Sequence, residues 1–171
     1  PSTSGKSLAI FLPSTTRRNS QELKRLIVHE QEVHARRSQN AKNLNVKPIQ
    51  LGTANYTDVE EGLGVILEGA VSGSLDNASF DRARDRYITA GLALGIDGQP
   101  RDAREVYEIL WRMFSIRNSK NGIIDEENVK KSKNDAYTHI ENAYRGTQFW
   151  MKGVIYTKLK VYYEGLVKNA V

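Results

Sequence analysis

The chain has 171 residues, 39% hydrophobic and 26% charged, the balance of an ordinary globular protein with length enough for a core of its own. Its 25 Lys and Arg exceed its 20 Asp and Glu, for a net charge of +5. They are scattered rather than massed and not interleaved with aromatics, which favours acidic partners mildly and argues against nucleic acid. Without cysteine there are no disulfides or thiolate ligands, so a metal would have to sit on His, Asp and Glu.

No stretch approaches the roughly 18 apolar residues of a membrane span, and Leu8-Ala9-Ile10-Phe11-Leu12 is too short for a signal sequence, so the expected location is the cytoplasm. The opening Pro1-Ser2-Thr3-Ser4-Gly5 reads as a cut made inside a longer protein. Residues 7–12 predict a buried strand that Pro13 ends. A first helix follows, with Asn19 and Glu22 spaced as a capping box and Leu23, Leu26, Ile27 and Val33 as its apolar stripe, running to about Gln39. From Asn40 to Tyr56 the text is turn-rich and predicts a long connection, of the kind that is usually functional in a compact domain.

Thr57 and Glu60 have the spacing of a second capping box, opening a helix through Val59, Leu63, Ile66 and Ala70 to Gly73. A third helix is predicted over residues 79–94. A fourth, opened by Pro100, carries Ala103, Val106, Tyr107, Leu110, Trp111 and Phe114 at helical spacing, and its aromatic stripe reads as core. A polar fifth helix runs from Asp125 to Tyr144, ended by Gly146, with its His139 read as a surface residue. Residues 149–157 are irregular or extended, and Leu159, Tyr162, Tyr163 and Leu166 suggest a last helix. The fold class is mainly α, an α+β protein of helices with one or two short edge strands, and the absence of a linker predicts a single domain over residues 1–171.

The chemistry concentrates in the first helix, where His29 and His34 bracket Glu30 in His29-Glu30-Gln31-Glu32-Val33-His34. A catalytic zinc typically takes three protein ligands and leaves a position for water, and a Glu beside a ligand can take that water's proton. The bland reading is a charged, solvated helix face with two incidental histidines. Spacing is the difficulty: histidines four apart lie about 40° apart around an α-helix, but five apart they lie about 140° apart. One ion can be shared only if the helix widens locally near Gln31 to Val33, as in a π-bulge.

The second helix offers two candidates for the third ligand. Glu60 has a structural explanation as the partner of Thr57. Glu61 has none, and it shares a face with Glu68, which could hydrogen-bond a ligating imidazole.

His29-Glu30-Gln31-Glu32-Val33-His34 followed by Glu60-Glu61-Gly62-Leu63-Gly64 resembles the HExxxH and EEGLA-type signatures of the microtubule tyrosine carboxypeptidase family, first catalogued as a domain of unknown function. Residues 84–110 are similar to the family's next helical stretch. Ala143-Tyr144-Arg145-Gly146, Tyr156-Thr157-Lys158-Leu159 and Tyr162-Tyr163-Glu164-Gly165 are similar to its late pattern. Gly64 stands where the family usually has Ala. The resemblance implies a gluzincin-like metallopeptidase with zincin-like catalytic helices, missing an N-terminal part of the family's catalytic domain. It implies Zn2+ on His29, His34 and one Glu of the pair, with Glu30 as catalytic carboxylate. The parallel with aminopeptidase motifs, where the ligating Glu precedes the Gly and another Glu follows seven residues on, points to Glu61.

Eukaryotic members of that family remove the C-terminal tyrosine of α-tubulin, so the expected partner is a peptide or protein C-terminal tail, acidic tails included. A carboxypeptidase also needs a cation for the terminal carboxylate and a donor for the oxyanion. Arg145 and Lys158 are candidates for the first, Tyr156 and Tyr163 for the second. The alternative is a non-catalytic, zinc-containing module that binds acidic peptides or nucleic acid.

Overall fold

The computed structural model describes residues 2–4, 9–12, 14–73 and 77–169. The protein is mainly α-helical, and its residues gather into two compact units, Pro1–Arg82 with Val161–Val171, and Ala83–Lys160. No described helix is long and apolar enough to cross a membrane.

In the first unit, β1 (Ser2–Ser4) pairs antiparallel with β2 (Ala9–Phe11), Ser2 opposite Phe11. Of the strand predicted over residues 7–12, Ala9–Phe11 pairs in this way, while residues 7, 8 and 13 lie outside the described residues; Phe11 and Leu12 are exposed rather than buried. Asn19 closes the first helix through the predicted capping box. Its Oδ1 accepts from the Glu22 amide at 2.8 Å and Glu22 Oε2 accepts from the Asn19 amide at 3.0 Å.

The helix then runs in three parts: α1 (Ser20–Ile27), π-helical turns over Val28–Ala35, and α2 (Arg36–Lys42). The widening that the five-residue histidine spacing demands is present, and it takes in eight residues rather than three. The expected connection over residues 40–56 is broken by a short helix, α3 (Lys47–Leu51), with Pro48 in its first turn, where a preset φ favours helix initiation.

α4 (Tyr56–Val71) starts one residue before Thr57. Its N-cap is Asn55, held in the left-handed region at φ 62°, a conformation Asn tolerates better than most residues, and no side chain caps the helix. The predicted box of Thr57 and Glu60 does not form, which frees the Glu60 carboxylate for other partners. α4 packs on α8 (Val161–Asn169) almost backbone to backbone. A Cβ built on Gly165 would lie 1.7 Å from the Asp58 carbonyl oxygen, and one on Gly62 would lie 2.1 Å from the Gly165 carbonyl carbon. Lys168 Nζ to Asp58 Oδ2 at 2.6 Å ties the same two helices.

α5 (Asn77–Leu94) begins in the first unit and continues into the second. The second unit's core joins Ala90 and Ala93 of α5 to Val106, Leu110 and Phe114 of α6 (Ala103–Arg117) and to Ala136, Ile140, Ala143 and Tyr144 of α7 (Glu126–Tyr144). α6 opens on a capping box between Asp102 and Glu105, not at Pro100, because the Asp side chain supplies the acceptor that the first turn needs. Phe114 is fully buried, with Tyr107 and Trp111 packed against the core, as the aromatic stripe predicted. His139, expected at the surface, is half-buried, with its ring centroid 5.4 Å from that of Phe114. Gly146 follows α7 at φ 77°, and a 3-10 turn over Thr157–Lys160 leads into α8.

Candidate metal centre

Three elements of the first unit build the site: the π-helical turns carry His29, Glu30 and His34, α2 carries Arg37, and α4 carries Glu60, Glu61 and Glu68. Bonding from i to i+5 in the π turns brings side chains five apart onto one side, and the two imidazole centroids are 5.1 Å apart. Gly64 gives the first ring its room, since a Cβ there would lie 2.5 Å from His29 Cε1 and Nδ1.

Glu61 is only 4% exposed, and its carboxylate faces both rings: Oε2 is 3.3 Å from His29 Nε2 and Oε1 is 3.9 Å from His34 Nε2. His29, His34 and Glu61 each offer one ligand atom, all within 4.8 Å of one another, and so form a group able to hold a metal ion. On their far sides both rings meet further carboxylates. His29 Nδ1 is 2.7 Å from Glu68 Oε1, and His34 Nδ1 is 3.0 Å from Glu60 Oε2. The outer carboxylates are themselves held by cations, Glu60 Oε1 accepting from Arg37 Nε and Glu68 Oε2 lying 3.6 Å from an Arg82 guanidinium nitrogen.

Burial alone would lower the His29 pKa. Hydrogen bonds to Glu61 and Glu68 outweigh it and raise the imidazole from 6.5 to about 9. A divalent cation beside the same carboxylates would supply that positive charge, and two imidazoles with a carboxylate are a donor set suited to zinc. Glu30 is half-buried, and its carboxylate has no hydrogen-bond or ion-pair partner among the described residues.

Of the substrate candidates, Tyr163 belongs to the first unit, edge-on to Phe80 at 5.7 Å. Arg145, Tyr156 and Lys158 belong to the second, where the Arg145 guanidinium stacks 4.1 Å from the Tyr156 ring centroid. The sequence reading missed the pair of Glu60 and Arg37. A signal for it existed, since Arg37 follows His34 by three residues, one helical turn along the same face.

A family model described as microtubule-associated tyrosine carboxypeptidase matches residues 2–119, more than two-thirds of the chain. The matched range contains His29, Glu30, His34, Glu60, Glu61 and Glu68 and ends before Arg145. No curated protein and no solved structure matches.

Proposed function

The chain belongs to the microtubule-associated tyrosine carboxypeptidase family, and from that premise we propose that it is a zinc-dependent carboxypeptidase that removes a C-terminal residue from a peptide or protein tail. The observation that carries the metal part is the convergence of His29 Nε2, His34 Nε2 and a buried Glu61 carboxylate on one small space. Zinc held there would lower the pKa of a water molecule and polarise the scissile carbonyl.

The residues of the chain do the rest. Glu61 and the two imidazoles supply the ligand atoms, and Glu68 and Glu60 fix the far nitrogens of the rings, which keeps both Nε2 atoms turned toward Glu61. Glu30, adjacent to a ligand and uncommitted to any described partner, takes a proton from the attacking water and returns it to the leaving amine. Tyr163, which belongs to the same unit as the metal group, is proposed for the oxyanion.

Metal analysis of purified protein, paired with mass spectrometry of a mixed peptide library, tests the reading. About one zinc per chain and stepwise loss of single C-terminal residues are expected. Internal cuts as the main products would overturn the carboxypeptidase assignment. Binding of acidic peptides that survives chelation, with no cleavage by the zinc-loaded protein, would replace it with the binding module.

A further inference from the structure

The two imidazoles are held by different means. His29 Nδ1 meets Glu68 of α4, whose contact with Arg82 is long, at 3.6 Å. His34 Nδ1 meets Glu60, whose other carboxylate oxygen accepts from Arg37 Nε, and the Arg37 guanidinium lies 4.8 Å from the centroid of the Tyr56 ring. Arg37 stands on the helix that carries His34, and Tyr56 on the helix that carries Glu60. The chain of contacts from His34 through Glu60 and Arg37 to Tyr56 therefore closes on itself across two helices.

We infer that Glu60 and Arg37 are positioning residues for His34: Glu60 accepts a hydrogen bond from Nδ1–H, so that the Nε2 lone pair faces Glu61, and Arg37 holds the Glu60 carboxylate in the orientation that does so. Geometry favours this over a purely structural ion pair. A structural pair needs only the two charges, whereas Glu60 divides its oxygens, one to the guanidinium and one to the ring nitrogen. An imidazole can present its Nε2 lone pair to a cation only if the proton sits on Nδ1, and an ionised acceptor at 3.0 Å selects that tautomer. Tyr56 supplies a face for the guanidinium, which limits its rotation away from Glu60.

The inference rests on the zinc site proposed above, and its test reads metal affinity rather than hydrolysis, so the two can fail separately. Zinc dissociation constants would be measured by chelator competition for the wild-type chain, Glu60→Ala, Glu60→Gln, Arg37→Ala, the double variant Glu60→Ala with Arg37→Ala, and the control Arg36→Ala. Arg36 is the exposed neighbour whose one ion-pair partner among the described residues is Glu32, on the same run of helix. Glu60→Ala is expected to weaken zinc about 10–100-fold, the usual effect of losing such a partner, with Glu60→Gln and Arg37→Ala losing less and Arg36→Ala unchanged. The double variant should bind no more weakly than Glu60→Ala alone, because Arg37 acts only through Glu60.

Wild-type affinity within about twofold in Glu60→Gln and Arg37→Ala overturns the inference while leaving the zinc site standing, and those two variants decide the matter should Glu60→Ala not fold. Additive losses in the double variant also overturn it. A wild-type chain that binds no zinc removes both readings. The expected affinities in a chain that cleaves no peptide leave the positioning role in place and remove the peptidase.

Discussion

Glu60 and Glu61 are consecutive in the chain, yet they address opposite nitrogens of one imidazole: Glu60 Oε2 lies 3.0 Å from His34 Nδ1, and Glu61 Oε1 lies 3.9 Å from His34 Nε2. Neighbouring helical residues diverge by about 100°, so they can reach both edges of a ring only when it stands between them, as the side chain of a crossing helix does. Paired glutamates at the start of α4 are therefore a clamp around His34. Glu61 also reaches His29 and is the buried one, which makes it the residue whose charge most needs a cation nearby.

Zinc should stabilise the fold through Glu61. Binding to the folded chain alone adds about 2.7 kcal/mol at a hundredfold excess over Kd. At about 2–4 °C per kcal/mol for a chain of this size, Tm should rise by roughly 5–10 °C. Glu61→Gln should abolish the increment while folding in metal-free buffer. An undiminished rise in Glu61→Gln, followed by scanning calorimetry, would exclude Glu61 as a ligand.

Glu30→Gln separates holding the metal from using it. The amide keeps the size of the side chain but cannot accept and return a proton, so zinc content should stay near one per chain while kcat falls by at least ~100-fold. Metal analysis and steady-state hydrolysis of a tail peptide on the same preparation check both halves. Retained activity would move the general base elsewhere.

How far the site was legible in the sequence depends on whether a feature is local. The capping box of Asn19 and Glu22 is written within four residues, and the structure has it. The need for a wider helix followed from one spacing, His29 to His34, because a regular helix would turn the rings apart; the π turns answer it. The fate of Glu60 was not local. Thr57 three residues before it offered a capping explanation that the start of the helix at Tyr56 removes, and its real partners, Arg37 and His34, lie across a connection whose path no local pattern specifies. The partial burial of His139 was hidden for the same reason: its own helix is polar, and the ring it packs against belongs to Phe114 on α6.

Gly165→Ala should destabilise the first unit although Ala is the better helix former. Propensity would favour the change by about 1 kcal/mol. The new Cβ, however, would meet the Asp58 carbonyl oxygen at 1.7 Å, and backbone cannot swing aside as a side-chain tip can. Overpacking typically costs about 1–3 kcal/mol, and a contact this short belongs at the upper end or beyond, so the net effect should be a loss of about 2 kcal/mol or more. Because α8 packs on the first turns of α4, which hold Glu60 and Glu61, zinc affinity should fall with it. Urea unfolding monitored by circular dichroism gives the first quantity; unchanged or increased stability would mean that α4 and α8 do not approach as closely as Gly62 and Gly165 indicate.

His139 should make the protein less stable in mild acid. Burial against Phe114 lowers its pKa below 6.5; Asp85 and Asp135 act to raise it, and Arg86 and Arg117 to lower it further. Its Nδ1 lies 3.5 Å from Thr89 Oγ1, a contact a neutral ring can make as donor or acceptor. The sign follows from proton counting. Below about 6.5 the unfolded chain takes up a proton at this position that the folded chain refuses, so the unfolded state binds more protons and stability falls as pH falls, until the folded pKa is passed. Above 6.5 both states are neutral and the contribution is constant. His139→Gln cannot titrate, so its stability should decline less steeply than that of the wild type between pH 7 and pH 5, whatever its absolute level. Comparing the two slopes cancels the carboxylates and the other two histidines, which both proteins share. Tm measured across that range in both proteins is the check, and parallel curves would mean that the ring titrates alike in the folded and unfolded chains.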